Sequence, residues 1–429
     1  MFSLLCKGTL ILEVSIPTMR IGEFTDSFVP IVDGVGRVVL AYSEHLGKRG
    51  NELSVIAPMA DTGYRGNYPF ELIDFIATDL PAGFEWKAGV PYIDPHYRAR
   101  MHSVPFDIVH SHSPFVTGME ALRIATKQDI PLVSTFHSKY YDDFLKLTHS
   151  KTVSKIGVKT IIEYYDQCDE VWAVSSSTAE VLESYGYKGT ITVMENGSDL
   201  LPPEKQGNPL ELKAKYELPD LPTLLFVGQM NWKKNILLIL EAVAKLKQEG
   251  LTCELLLVGM GPDSDEIAKK VDELGLSDTT KIPGHMDDIR VLDGFYRLAD
   301  IFVFPSIYDN APMVVREAAR AGTPPILARE SSAAEIVEDG VNGRLCENDV
   351  DDLARVIREM LSDPAALEAM GEKARNTIPK PWDSIIDKVS DRYQYLIDHH
   401  QEKKNTAEKV RDYLRNISPL FASVFPDDD

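Results

Sequence analysis

Twice along this chain, short apolar runs alternate with helical patterns, and the two series are separated by a proline- and charge-rich break. The first series holds RIGEFT, LSVIAP, DIVHSH, PLVSTFH, EVWAVS and ITVMENG. The second holds TLLFVGQ, CELLLVG, KIPGH and DIFVFPS. Most runs of the second series are continuously apolar, as strands covered on both faces are, so each series predicts a parallel sheet with helices on either side. Two such doubly wound units facing each other enclose a cleft, and ligands of open α/β sheets bind beyond the carboxyl ends of the strands. A length of 429 residues suits two domains of about 200 residues each. The boundaries read from the sequence are an extension at 1–18, a first domain at 19–200, a linker at 201–220 and a second domain at 221–380. Closing helices that pack back on the first domain, with a frayed tail, take up 381–429.

Composition excludes several classes of function. The formal charge of −21 argues against nucleic acid as a partner, because phosphate backbones are met by basic faces. No apolar run approaches the roughly 20 residues that span a bilayer. The four cysteines, Cys6, Cys168, Cys253 and Cys346, lie far apart without a CxxC pair, which suits reduced thiols in the cytoplasm. Glu13 interrupts the apolar start, so residues 1–18 read as an upstream extension with Met19 as the natural beginning.

Candidate chemistry gathers at predicted strand ends. In SIYDNAPMVVREAARAGTPPI, Asp309 and Glu317 stand eight apart around the start of a helix. Carboxylates there accept hydrogen bonds from sugar hydroxyls, and the helix start favours a phosphate; a helix cap and a surface acid are the alternative. Lys234 follows the strand TLLFVGQ, although lysines in a turn before a helix need no ligand. Gly34 and Gly36 fall between a strand and a helix, where glycine admits close approach of a ligand. His110, His112 and His137 end two strands, but no carboxylate stands at ligand spacing beside them, which disfavours a metal. Asp263 and Asp265 spell a D-x-D motif that helix capping explains.

These stations together resemble retaining glycosyltransferase family 4, whose fold is GT-B, two Rossmann-like domains around a central cleft. The likeness runs from Met19 to about Ile397. Asp309 and Glu317 match its E-x7-E signature, with aspartate in place of the first glutamate. The resemblance implies that Asp309 meets the donor sugar, Glu317 the ribose, and the stretch Ala311, Pro312, Met313 and Val314 the diphosphate. Gly228, Gln229 and Lys234 match the segment that neutralises the leaving group. Gln229 stands where arginine is usual, so that stabilisation rests more on Lys234 and backbone dipoles. His110, His112 and Pro114 match H-x-H-x-P, which implies that His112 contacts the donor sugar near the reacting carbon. Gly259 matches a turn beside the nucleotide, and Gly34 and Gly36 the loop near the donor phosphates. Asp33, His137 and Lys139 fall on the acceptor side. A hexose donor, by family habit UDP-glucose, no metal and no cofactor are implied.

For the acceptor, the segment from His137 to Tyr165 carries Lys139, Lys146, Lys151, Lys155 and Lys159 among aromatic and aliphatic residues. Such a face suits an anionic membrane surface and resembles the bacterial diacylglycerol glucosyltransferases of the same family. The expectation is a cytoplasmic enzyme in peripheral contact with the inner face of the membrane. A solvated helix, with a soluble or cell-wall acceptor, is the alternative. From other classes, a nucleotide-sugar epimerase of the same fold and a sugar-nucleotide binding protein without catalysis remain open.

Overall fold

The structure is a computed structural model that describes residues 18–28, 34–58, 68–79 and 87–400. Asp33, nearly all of the extension and the tail beyond 400 lie outside these residues.

The first domain supplies β1 (Arg20–Phe24), β2 (Glu52–Ala57), β3 (Glu71–Asp74), the short hairpin β4 (Ala77–Asp79) and β5 (Lys87–Gly89), β6 (Ile108–Ser111), β7 (Leu132–Phe136), β8 (Glu170–Ala173) and β9 (Ile191–Val193). All but the hairpin join one sheet in the order β3-β2-β1-β6-β7-β8-β9 with every neighbouring pair parallel. The second domain supplies β10 (Thr223–Val227), β11 (Glu254–Val258), β12 (Thr280–Gly284), β13 (Ile301–Phe304), β14 (Pro325–Ala328) and β15 (Arg344–Cys346). Their order is β12-β11-β10-β13-β14-β15, again parallel throughout. The doubly wound GT-B architecture implied by the sequence is the one observed. The strand order reverses between β1 and β6 and again between β10 and β13, and a crevice opens at the carboxyl end of each such reversal.

Every residue of β10, β11, β13 and β14 is buried, which accounts for their apolar runs. Three strands and the hairpin exceed the expectation. β3 is four residues with three partly or fully exposed, and β15 is three residues containing an arginine, so neither has the apolar signal of an inner strand. β14 begins on the second proline of the Thr323-Pro-Pro run, at the end of the motif that carries Asp309 and Glu317.

The helix Trp382–Asp398 buries Trp382, Ile385, Ile386, Val389 and Tyr393, a stripe at helical spacing. That stripe packs against Ile21, Val38, Tyr42 and Trp172 of the first domain. The chain thus crosses the cleft a second time, and Tyr393 reaches the interior of the first sheet.

Candidate active site

The second domain builds its side of the cleft on the ends of β10, β11 and β13. Gly259, just past β11, has φ +145°, and a Cβ there would lie 1.9 Å from the carbonyl oxygen of Gly228. Only glycine lets these two strand ends close together. Beyond Gly228 and Gln229 a short 3-10 turn, Trp232–Lys234, presents Lys234. Its Nζ donates to Asp309 Oδ1 at 2.5 Å, and Ser306 Oγ donates to Asp309 Oδ2 at 2.6 Å. Asp309 precedes the helix Met313–Ala321, which Pro312 opens. The amides of Met313 and Val314 in its first turn have no acceptor within the helix. Asparagine 310 and Ala311 touch the first domain: Asn310 Nδ2 donates to the carbonyl of His137 at 2.7 Å, and Asn196 Nδ2 to that of Ala311 at 3.4 Å.

The D-x-D pair has a different job from the one its sequence suggests. Asp263 makes no side-chain cap to its own helix. Its Oδ2 instead accepts the N–H of Trp232 at 2.8 Å, which fixes the turn that carries Lys234. Gly34 and Gly36, read from the sequence as loop residues, lie inside the first turn of the helix Gly34–Lys48. Glycine in a first turn keeps the helix end open to close approach.

On the first domain, a buried polar cluster joins the ends of β1, β6 and β7. Glu23 Oε2 lies 2.8 Å from His112 Nε2, and His112 Nδ1 lies 3.1 Å from His137 Nε2. Tyr393 donates to Glu23 Oε1 at 3.2 Å and lies 2.5 Å from His110 Nδ1, while Thr135 Oγ1 is 2.7 Å from His110 Nε2. Burial pushes the Glu23 carboxyl up to about 8, and the Tyr393 hydroxyl offsets only part of that. Burial likewise pulls His112 down to about 3 and holds His110 and His137 well below the ordinary imidazole value. At neutral pH all three rings are uncharged. Glu23 is the carboxylate that the spacing of the histidines did not reveal. Ligand-type atoms of Glu23, His110 and His112 lie within 4.8 Å of one another, the arrangement that could hold a metal ion among the described residues. In the structure those atoms are satisfied by hydrogen bonds within the cluster. His112, the histidine matched to sugar contact, has both ring nitrogens engaged by Glu23 and His137.

Contacts across the cleft complete the site. Arg37, from the first-domain helix, pairs with Glu317 Oε1, and Tyr296 donates to Glu317 Oε2 at 3.0 Å. Burial raises the Glu317 carboxyl, but Arg37 and Arg320 outweigh it and hold the group below the usual glutamate value. Lys139 Nζ donates to the carbonyl of Ile307 at 3.4 Å. Asp143 accepts from the Tyr308 hydroxyl at 2.5 Å and pairs with Lys233 at 3.4 Å. The structure therefore gathers His112, His137, Lys139, Gly228, Gln229, Lys234, Gly259, Asp309 and Glu317 at the facing strand ends. Sequence reasoning missed Glu23, Arg37, Asp143, Tyr296 and Tyr308, because nothing in local spacing links partners as far apart as Arg37 and Glu317.

Beside this face, the helix Lys151–Tyr165 exposes Lys151, Lys155 and Lys159 together with Val153 and Ile156, the last 61% exposed. Of the aromatic and aliphatic residues in that segment, Tyr140 and Ile161 are buried in the first-domain core and do not join the exposed face. Among the described residues, no helix is long and apolar enough to cross a membrane.

A model of the group 1 glycosyl transferases matches residues 210–377, and one of glycosyltransferase family 4 matches residues 32–200. The chain belongs to these glycosyltransferases. The enzyme class implied by its sequence, a hexosyltransferase, rests on that membership. The glycosyltransferase is 24% identical over 399 residues to the alpha-monoglucosyldiacylglycerol synthase of Acholeplasma laidlawii, covering 90% of this chain and 100% of the relative. In fold it is similar to sucrose-phosphate synthase from Thermosynechococcus elongatus, with a TM-score of 0.74, 20% identity and coverage of 88% and 99%. It is also similar to Anabaena HepE solved with UDP and glucose, with a TM-score of 0.69, 17% identity and coverage of 88% and 99%.

Proposed function

We propose that this glycosyltransferase moves glucose, with retention, from UDP-glucose to the hydroxyl of a membrane glycolipid precursor such as diacylglycerol. The observation that carries the acceptor is the exposed face of the helix Lys151–Tyr165, where Lys151, Lys155 and Lys159 flank Val153 and Ile156. Lysines attract anionic headgroups at about 1 kcal/mol each, and the two aliphatic side chains enter the headgroup boundary. The face lies on the same domain as His137 and Lys139, so a lipid hydroxyl held there approaches the cleft from the acceptor side. The Acholeplasma relative and the UDP and glucose held by HepE support the same reading.

In this reaction the diphosphate is the leaving group. Lys234 and the amides of Met313 and Val314 neutralise its developing charge, a preorganised arrangement that needs no metal. The acceptor's proton passes to the departing phosphate oxygen on the face from which the hydroxyl attacks. Asp309 orients the sugar, Glu317 the ribose, and closure of the domains keeps water from the donor.

Two measurements test this. Incubation with UDP-glucose and vesicles containing diacylglycerol should yield an α-glucosyl lipid; donor hydrolysis with no lipid product sinks the acceptor. Vesicle co-sedimentation should require anionic lipid and fall when Lys155→Glu and Lys159→Glu are combined; equal binding to neutral vesicles sinks the membrane face.

A further inference from the structure

The two acids of the donor site each hold a cation in this structure. Lys234 sits on Asp309, and Arg37 sits on Glu317. The second pairing joins the two domains, since Arg37 lies on the helix Gly34–Lys48 and Glu317 on the helix Met313–Ala321. Glu317 is 1% exposed, while the Arg37 side chain that covers it is 38% exposed. A ribose that reaches Glu317 from the cleft must therefore move Arg37 aside.

We infer that Arg37 is a donor-binding residue whose guanidinium passes from Glu317 to the diphosphate of the nucleotide sugar as the ribose takes its place. The inference rests on the donor-site reading above, in which Glu317 meets the ribose and Asp309 the sugar. Covalent connectivity then does the rest, because in any nucleotide sugar the diphosphate lies between ribose and sugar. The anion arrives between the two acids, within reach of both cations that those acids release. A guanidinium is always charged and its planar fork matches two phosphate oxygens, so it can leave the single Glu317 oxygen it meets for a bidentate hold on the diphosphate. Glu317 keeps its charge after the exchange, since Tyr296 still donates to it and Arg320 remains beside it. The neutral amide of Gln229 brings no charge to the end of β10, so Arg37 is the group that adds a second cation to Lys234. Because Arg37 belongs to the first domain, the bound diphosphate is gripped from both sides of the cleft.

Calorimetry and ligand-observed NMR on the full chain, with UDP, GDP and ADP each set against its nucleoside, test the inference. Arg37→Gln should weaken binding of the diphosphate about tenfold or more, the worth of a charge-assisted hydrogen bond. It should leave the nucleoside unchanged or tighter, because the ribose no longer competes for Glu317. Arg37→Lys, which keeps the charge but loses the fork, should fall between, and it supplies the diphosphate-to-nucleoside comparison if Arg37→Gln fails to fold by circular dichroism. Equal weakening, or equal strengthening, of diphosphate and nucleoside in either variant overturns the inference and leaves Arg37 as a cover over Glu317. If the unaltered chain binds none of the three diphosphates, the donor-site reading itself is wrong, and the inference falls with it.

Discussion

Glu23 and Glu317 are both fully buried glutamates on facing sides of the same cleft, one on each domain, yet one is neutral and the other ionised. Around Glu23 stand neutral partners, His110, His112 and Tyr393, with Tyr42 nearby, so desolvation dominates and the carboxyl is pushed up to about 8. Around Glu317 stand Arg37 and Arg320, whose field outweighs the same desolvation and keeps the carboxylate ionised. Burial alone therefore does not decide whether a buried acid is charged; the sign of its neighbours does. The first-domain cluster is a neutral, internally hydrogen-bonded wall, which on the proposed reading stands beside the reacting sugar. On the proposed donor-site reading, the second-domain acid keeps the charge that a ribose diol needs.

Four measurements on two variants break or sharpen this contrast. Glu317→Gln should lower transfer by about a hundredfold or more, the scale seen when a charged group of a preorganised site is lost, measured as kcat/KM for the donor; a loss below tenfold would remove Glu317 from the site. The same variant leaves Arg37 without its buried counterion, and thermal unfolding should report about 2 kcal/mol of lost stability, below the full cost of breaking a buried pair because Arg37 is partly solvated. Stability against pH should separate the two acids. The folded-state value of Glu23 is raised, so its contribution is full below about 4.5 and is lost as pH rises toward about 8. The value of Glu317 is lowered, so its contribution is present above about 4.5 and is lost as pH falls further. The difference in unfolding free energy between Glu23→Gln and the unaltered chain should therefore shift toward the variant across that window, at up to about 1.4 kcal/mol per pH unit; a flat difference means Glu23 is ionised in the fold. At about pH 4, where the carboxyl is protonated in the folded and the unfolded chain alike, the amide copies its shape and neutrality, so Glu23→Gln should change stability by less than about 1 kcal/mol.

Much of the fold was legible because its signals are local. The buried strands β10, β11 and β13 read as apolar runs, and Pro312 announces the start of the helix that carries Glu317. Lys234, Asp309, His112 and Glu317 were found by their stations relative to those strand ends. What stayed hidden depends on partners. Asp263 looked like a cap from its place before a helix, and its actual acceptor role for Trp232 is a contact between two different strand ends. The histidines lacked a carboxylate in sequence because Glu23 reaches them through the pairing of β1 with β6, not through spacing.

By itself the sequence determined the alternation of strand and helix, the two sheets and the strand ends at which chemistry gathers. Periodicity and apolar runs are properties of a few neighbouring residues, so one chain displays them openly. Only the tertiary structure decided which side chains share a site: Tyr393 from the closing helix on Glu23, and Arg37 from one domain on Glu317 of the other. It thereby decided the charge of each buried acid, because a carboxyl's charge is set by the dielectric and the ions around it, and folding is what assembles both.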